Sequence, residues 1–118
     1  METQDTGYIL TEIWKAKASW LVLTASERSA YFEKKVNPLL MKTLENGAEI
    51  LGCAVNDNTG AERIDYQFMA IWKFPNKASS DQLEAAAKAA GFLDYFEQVN
   101  FSGTPIPPPM LNAAMIEL

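Results

Sequence analysis

The sequence predicts an α+β domain of the split β-α-β kind, an antiparallel sheet with two helices on one face. Three observations lead there. Strand-like and helix-like segments alternate in the order β-α-β-β-α-β. Tyr8, Ile13, Trp14 and Lys15 recur as Tyr66, Ile71, Trp72 and Lys73, each 58 positions later, so the chain reads as two related halves. Finally, the 118 residues are 48% hydrophobic and 21% charged, the length and composition of one packed domain over residues 1–118.

Residues 8–15 are rich in β-branched and aromatic side chains and predict the first strand, with a short loop through Trp20 after it. Thr24-Ala25-Ser26-Glu27 has the form of a capping box, in which the Thr24 hydroxyl accepts from the Glu27 backbone N–H and the Glu27 side chain reaches back; a helix starts there. Its apolar stripe, Phe32, Val36, Leu40 and Leu44, runs across Pro38. That requires one kinked helix or two abutting helices, the second capped by Asn37. Asn46-Gly47 ends the stretch, since glycine takes a left-handed cap without a Cβ penalty. Residues 48–56 and 63–74 predict a hairpin joined by the polar segment Asp57-Asn58-Thr59-Gly60-Ala61-Glu62. Ser79, with Gln82 three positions on, caps a second helix whose inner face is Leu83, Ala87 and Ala90 and whose stop is Gly91. Residues 96–101 read as the fourth strand. Residues 103–109, with four prolines, read as a stiff extended connector rather than a peptide for a proline-reading domain. The apolar residues 110–118 read as a terminal strand.

Alternation assigns the faces of the sheet. Tyr8, Leu10, Glu12, Trp14, Tyr66, Phe68, Ala70, Trp72 and Phe74 point to one side; Ile9, Thr11, Ile13, Met69 and Ile71 point to the other. Both sides are apolar, and two helices cover only one of them. The other side predicts a second subunit, sheet packed on sheet in a homodimer, with the terminal segment able to reach across to the partner.

Composition also excludes. Ten Lys+Arg against fifteen Asp+Glu give a formal charge of −5, which repels phosphate backbones and anionic lipid, so neither nucleic acid nor membrane is expected as a partner. The sequence contains no His, which removes the usual general base near neutral pH, the commonest metal ligand and the usual haem ligand. No metal site and no cofactor are expected, and the absence of a glycine-rich loop argues against a phosphate cradle. Residues 1–7 are polar and acidic, without the apolar stretch of a secretory signal, and no run approaches the roughly 18 apolar residues of a membrane span. The single cysteine, Cys53, cannot form an internal disulfide; a cytoplasmic location follows as the expectation.

Glu12 is the candidate for chemistry. It lies between Leu10 and Trp14 on the aromatic face, where desolvation would raise its pKa and make it a general acid or base. The alternative is a carboxylate at the rim, ion-paired to Lys or Arg. Trp14, Tyr66 and Trp72 are candidate walls of a pocket for an apolar or aromatic ligand, against the alternative that they are core. Glu97 and Asn100 come from the fourth strand and can approach Glu12, and Asn100 joins the ligand-binding set. Asp65 reads as a turn or ion-pair residue. Asn56, Asp57 and Asn58 lack the spacing of a calcium loop and read as turn formers, and Cys53 reads as a buried, unreactive thiol.

The chain as a whole resembles the dimeric α+β barrel superfamily, whose members have ferredoxin-like folds. More closely, Glu12-Ile13-Trp14-Lys15, Trp20-Leu21, Ser26-Glu27-Arg28, Asp65-Tyr66 and Asp94-Tyr95-Phe96-Glu97-Gln98-Val99-Asn100 are similar to a small bacterial family of unknown function akin to the darcynin family. The resemblance implies a fold rather than a chemistry, because the superfamily includes cofactor-free monooxygenases, isomerases, haem enzymes and proteins without known activity. Haem-dependent members use His, which this sequence lacks, so haem chemistry is not carried over. Two functions stand as expectations. One is a dimeric module that binds a small apolar or aromatic ligand or serves structurally. The other is a cofactor-free small-molecule enzyme of monooxygenase or isomerase type, with Glu12 as proton shuttle.

Overall fold

Strands β1 (Tyr8–Ala16) and β3 (Phe68–Phe74) lie side by side at the centre of a four-stranded antiparallel sheet, flanked by β2 (Glu49–Val55) and β4 (Phe96–Gly103) in the order β2-β3-β1-β4. The structure is a computed structural model that describes residues 7–118. The polar N-terminal start noted above lies almost wholly outside the described residues. The central pairing is the one that two related halves demand. In the antiparallel register Tyr8 faces Phe74, Trp14 faces Phe68 and Glu12 faces Ala70. The 58-residue offset and this register coincide at one pair, Glu12 and Ala70, which marks the middle of the sheet.

Helices cover one face. α2 (Ala25–Tyr31) begins with the expected capping box, the Glu27 N–H donating to Thr24 Oγ1 at 3.1 Å and the Thr24 N–H to Glu27 Oε1 at 2.9 Å. It runs through a π-helical turn (Phe32–Val36) into α3 (Asn37–Glu45). The two sequence alternatives thus resolve as a continuous helical rod. Proline lacks an N–H and its ring clashes with the carbonyl four residues back, and the wider π turn ahead of Pro38 accommodates this without a break. Asn37 makes no side-chain cap and lies inside the rod. Gly47 (φ 100°) closes it, where a Cβ would approach the Pro75 ring at 3.2 Å. The second long helix, α4 (Lys77–Ala89), is capped by Asn76 instead of Ser79: Asn76 is extended after Pro75, and its Oδ1 accepts from the Ser79 N–H at 2.9 Å, which puts Ser79 inside the first turn. Gly91 (φ 83°) ends it ahead of the short α5 (Phe92–Tyr95).

Three further expectations are corrected. Residues 63–67 are not strand. Asn56 donates from its amide to the carbonyls of Ile64 and Tyr66 at 3.3 and 2.8 Å and so holds them as a loop, and Asn58 N–H turns back onto Asn56 Oδ1 at 3.0 Å. The stretch expected as a loop through Trp20 contains α1 (Ala18–Leu21), whose Trp20 is buried against Tyr31, Phe32, Tyr95 and Phe96, with ring centroids 4.7–5.8 Å away. The C-terminal residues form a helix, α6 (Pro108–Ile116), rather than a strand. Prolines at its first positions carry helical φ, and Met, Leu and Ala that follow are strong helix formers, so local preference decides where the apolar run has no period.

The core lies between sheet and helices: Leu10, Ala70, Trp72 and Phe74 from the strands meet Leu83 from α4 and Leu39 and Leu40 from α3. The other face carries half-buried Ile9, Ile13, Met69 and Ile71, with Phe101 78% exposed. No helix among the described residues is long and apolar enough to cross a membrane. The Trp20 cluster ties α1, α2 and α5 to β4, so Trp20→Ala is expected to cost about 3–5 kcal/mol in urea unfolding, against about 1 kcal/mol for Thr24→Ala at the helix cap. Equal costs would show that the cluster adds nothing beyond local helix stability.

Candidate functional site

The helical face of the sheet is not filled at its middle. Ala70 is the smallest side chain on this face of β3, and its cross-strand neighbours are Glu12 on β1 and Cys53 on β2. The gap above them is a cavity of ≈ 230 Å³, closed by Phe32 and Val36 from the π turn, Leu39 and Leu40 from α3, Leu83, Ala87 and Ala90 from α4's side, and Phe92 from α5. Trp14 and Trp72 stand on either side of Glu12 along the sheet and line the same space. Trp14 is held edge-on by Phe92, with centroids 6.1 Å apart.

Glu12 is the acidic group in this apolar surround. Its Oε1 accepts from Trp72 Nε1–H at 2.9 Å and its Oε2 from Gln98 Nε2–H at 2.8 Å. Gln98 donates its second N–H to Asn100 Oδ1 at 2.8 Å, and Asn100 donates in turn to Glu84 Oε1 at 2.8 Å. A relay of two amides therefore joins the half-buried Glu12 carboxylate to the half-buried Glu84 carboxylate of α4. Burial pushes the Glu12 carboxyl above the ordinary 4.5, the hydrogen bonds from Gln98 and Trp72 oppose the rise, and the Glu84 charge adds a smaller push in the same direction. Among the described residues no Lys or Arg pairs with Glu12; the ion pairs are Lys15–Glu97 and Lys77–Asp81. The alternative of a carboxylate ion-paired at the rim is thus set aside.

The structure brings together Glu12, Trp14 and Trp72. Asn100 sits directly opposite Glu12 in the β1–β4 register but is one hydrogen bond removed from it, in a shallow cleft with Glu84 and Lys88. Tyr66 is elsewhere. Because the strand begins at Phe68, the alternation that aligned Tyr66 with Trp72 does not extend to it, and its ring lies 5.0 Å from Lys15 Nζ on the opposite side of the sheet. Glu97 also faces that side, 3.7 Å from Lys15. Cys53 was expected to be buried; it is exposed, because β2 is an edge strand, and it borders the cavity. Asp65 is exposed in the loop. Sequence reasoning missed Gln98, which faces Trp14 across β1–β4, and the helical wall. Period-2 spacing from Phe96 signals the face of Gln98, but only the register places it on Glu12.

The chain belongs to a family of unknown function, DUF6616, whose pattern matches residues 7–118. No curated protein matches it significantly. Among solved structures it is similar to a mutant chlorite dismutase from Candidatus Nitrospira defluvii, with TM-score 0.69 and 11% identity over 90% of this chain and 43% of that one. It is also similar to the RPA0582 protein of unknown function from Rhodopseudomonas palustris, with TM-score 0.60 and 11% identity over 89% and 86% of the two chains. The chain spans under half the length of the dismutase. These likenesses show the fold, an antiparallel sheet with helices on one face, and the family shown is DUF6616. The residues present do not suit haem: the chain has no His, and the cavity's Trp72 and Gln98 donors are engaged by Glu12. Among the described residues no group of three or more His, Cys, Asp or Glu could hold a metal ion.

A raised folded pKa means that the folded chain holds the Glu12 proton more tightly than the unfolded chain. The stability this confers is complete below about pH 4.5 and is lost as pH rises through the folded pKa. Glu12→Gln has no such titration. Urea unfolding from pH 4 to 8 is therefore expected to show wild type losing stability relative to Glu12→Gln as pH rises; a relative gain would mean that the hydrogen bonds outweigh desolvation.

Proposed function

We propose that this protein binds a small apolar or aromatic molecule in the cavity between sheet and helices, with Trp14 and Trp72 as walls and Glu12 as the polar anchor. The carrying observation is the cavity itself: a space of ≈ 230 Å³ in an apolar surround, with one carboxylate fixed from two sides by Trp72 and Gln98. A second reading, a cofactor-free enzyme with Glu12 as general acid or base, draws on the raised pKa and on the lack of a cationic partner among the described residues. Asn100 serves either reading at one remove, as support for Gln98, and Tyr66 has no part in it. A nearer kinship with the darcynin family rests on the quoted segments alone, and a cytoplasmic location on composition and the single cysteine.

The homodimer is part of the same proposal. The uncovered sheet face is apolar, and α6 is apolar on nearly every side, with Asn112 its one polar residue and all but Ala113 exposed. The radius of gyration, 16.6 Å, exceeds the about 13.5 Å of a compact chain of this length, as expected when an arm extends from the body. A second copy offers both surfaces what each lacks, sheet against sheet and arm against neighbour.

Native mass spectrometry of the purified chain tests both parts. The expected spectrum is twice the chain mass with a small molecule retained, and Ala70→Leu, which fills the floor of the cavity, is expected to keep the dimer and lose the molecule. A monomer would remove the dimer, and retention undiminished in Ala70→Leu would place the ligand elsewhere.

A further inference from the structure

The polar side chains around the cavity divide into committed and uncommitted groups. Trp72 Nε1–H donates to Glu12 Oε1, and the Gln98 NH₂ donates to Glu12 Oε2 and to Asn100 Oδ1. An indole has one N–H and a primary amide two, so both side chains are spent as donors. The amides cannot turn away. Glu84 accepts from the Asn100 NH₂, which points Asn100 Oδ1 at Gln98, and flipping either amide would set oxygen against oxygen. Cys53 adds at most a weak S–H.

Trp14 is different. It lines the same cavity, and its Nε1–H makes no hydrogen bond among the described residues, which leaves it the uncommitted strong donor of the lining side chains. The uncommitted acceptor is Glu12: a carboxylate has about four lone-pair sites, and two are used. The two residues stand two positions apart on β1 and project to the same face, about 7 Å from one another along the strand. A flat group that donates at one corner and accepts at the next, with a hydrogen bond of about 2.9 Å at each, spans such a separation. Size sets a second condition. A cavity of about 150 Å³ holds benzene, so ≈ 230 Å³ suits a fused pair of rings.

Resting on the binding reading above, we propose that the cavity selects a flat, apolar, fused-ring molecule that carries a hydrogen-bond donor and an acceptor side by side, as a cyclic amide does. The ligand N–H meets a spare lone pair of Glu12, its carbonyl takes the Trp14 Nε1–H, and its rings pack against Val36, Leu40 and Leu83. Selectivity comes from what other ligands leave unmade. A ring without an acceptor covers the Trp14 N–H and leaves it unpaired. A ring with an oxygen in place of its N–H sets that oxygen against the Glu12 carboxylate. Each fault falls in an apolar surround, where an unmade hydrogen bond is costly.

Calorimetric titration of the protein near neutral pH with three bicyclic probes tests this: carbostyril, a lactam with N–H beside C=O; coumarin, the corresponding lactone; and tetrahydroquinoline, which keeps the ring N–H and lacks the carbonyl. Carbostyril is expected to bind at least tenfold more tightly than either of the others. In Trp14→Phe, which keeps a ring and removes the donor, carbostyril is expected to weaken at least tenfold while tetrahydroquinoline stays within about twofold, a result that also reports an intact cavity. Coumarin binding as tightly as carbostyril would overturn the part given to Glu12, and tetrahydroquinoline doing so would overturn the part given to Trp14. Either an unchanged carbostyril preference in Trp14→Phe or the loss of every probe there would make Trp14 a wall and not a donor, with the apolar cavity left standing. Failure of all three probes in wild type would overturn the cavity reading itself.

Discussion

A carboxylate at the centre of an apolar sheet is the constraint on which the rest of this structure turns. Removing such a group from water costs several kcal/mol, and a hydrogen bond to a charged group returns about 1.5–3 kcal/mol. Two of them, from Trp72 and Gln98, offset much of the cost without cancelling it, which agrees with a Glu12 carboxyl held above its ordinary range. The arrangement requires Trp72 on β3 and Gln98 on β4 to flank β1, and so it requires β1 to lie between β3 and β4, as it does in the order β2-β3-β1-β4. Glu12 and its partners also need room, which the small Ala70 side chain beside them provides.

The layers around this point are unequal. On the helical side, the rod from α2 to α3 and the helix α4 close the cavity, and the π turn brings Phe32 and Val36 into its wall while making space for Pro38. The opposite side has no such cover among the described residues, and the apolar arm α6 has little of its own chain to lean on. An apolar sheet face and an apolar helix in one chain are both surfaces that water disfavours, which is the physical ground on which a second copy is proposed to cover them.

Much of this was legible in the residues. Alternation along 8–15 and 68–74 located Glu12, Trp14 and Trp72 on one face, and the 58-residue offset placed the strands that carry them side by side. The capping box at Thr24 and the glycine stops at Gly47 and Gly91 are local chemistry and stand where they were read. Tyr66 shows where alternation fails: two residues before a strand begins, a side-chain amide from Asn56 decides the backbone, and period-2 logic no longer applies. The last nine residues show the complementary failure, since an apolar run without periodicity fits strand and helix alike until the prolines before it are weighed as helix starters.

By itself, then, the sequence determined the fold class, the faces of the central strands, the main helix stops and the isolation of one carboxylate among aromatics, because each depends on neighbours a few positions away. Only the tertiary structure decided that Gln98 binds Glu12, that Asn100 stands one bond further out and that Cys53 lies open at an edge. Those facts depend on the register between strands more than 80 residues apart and on which strand ends up at the border. Alternation fixes which face each side chain takes, but a slide of β4 along β1 by two residues keeps every face and changes every partner, so the pairing is decided between the distant segments themselves.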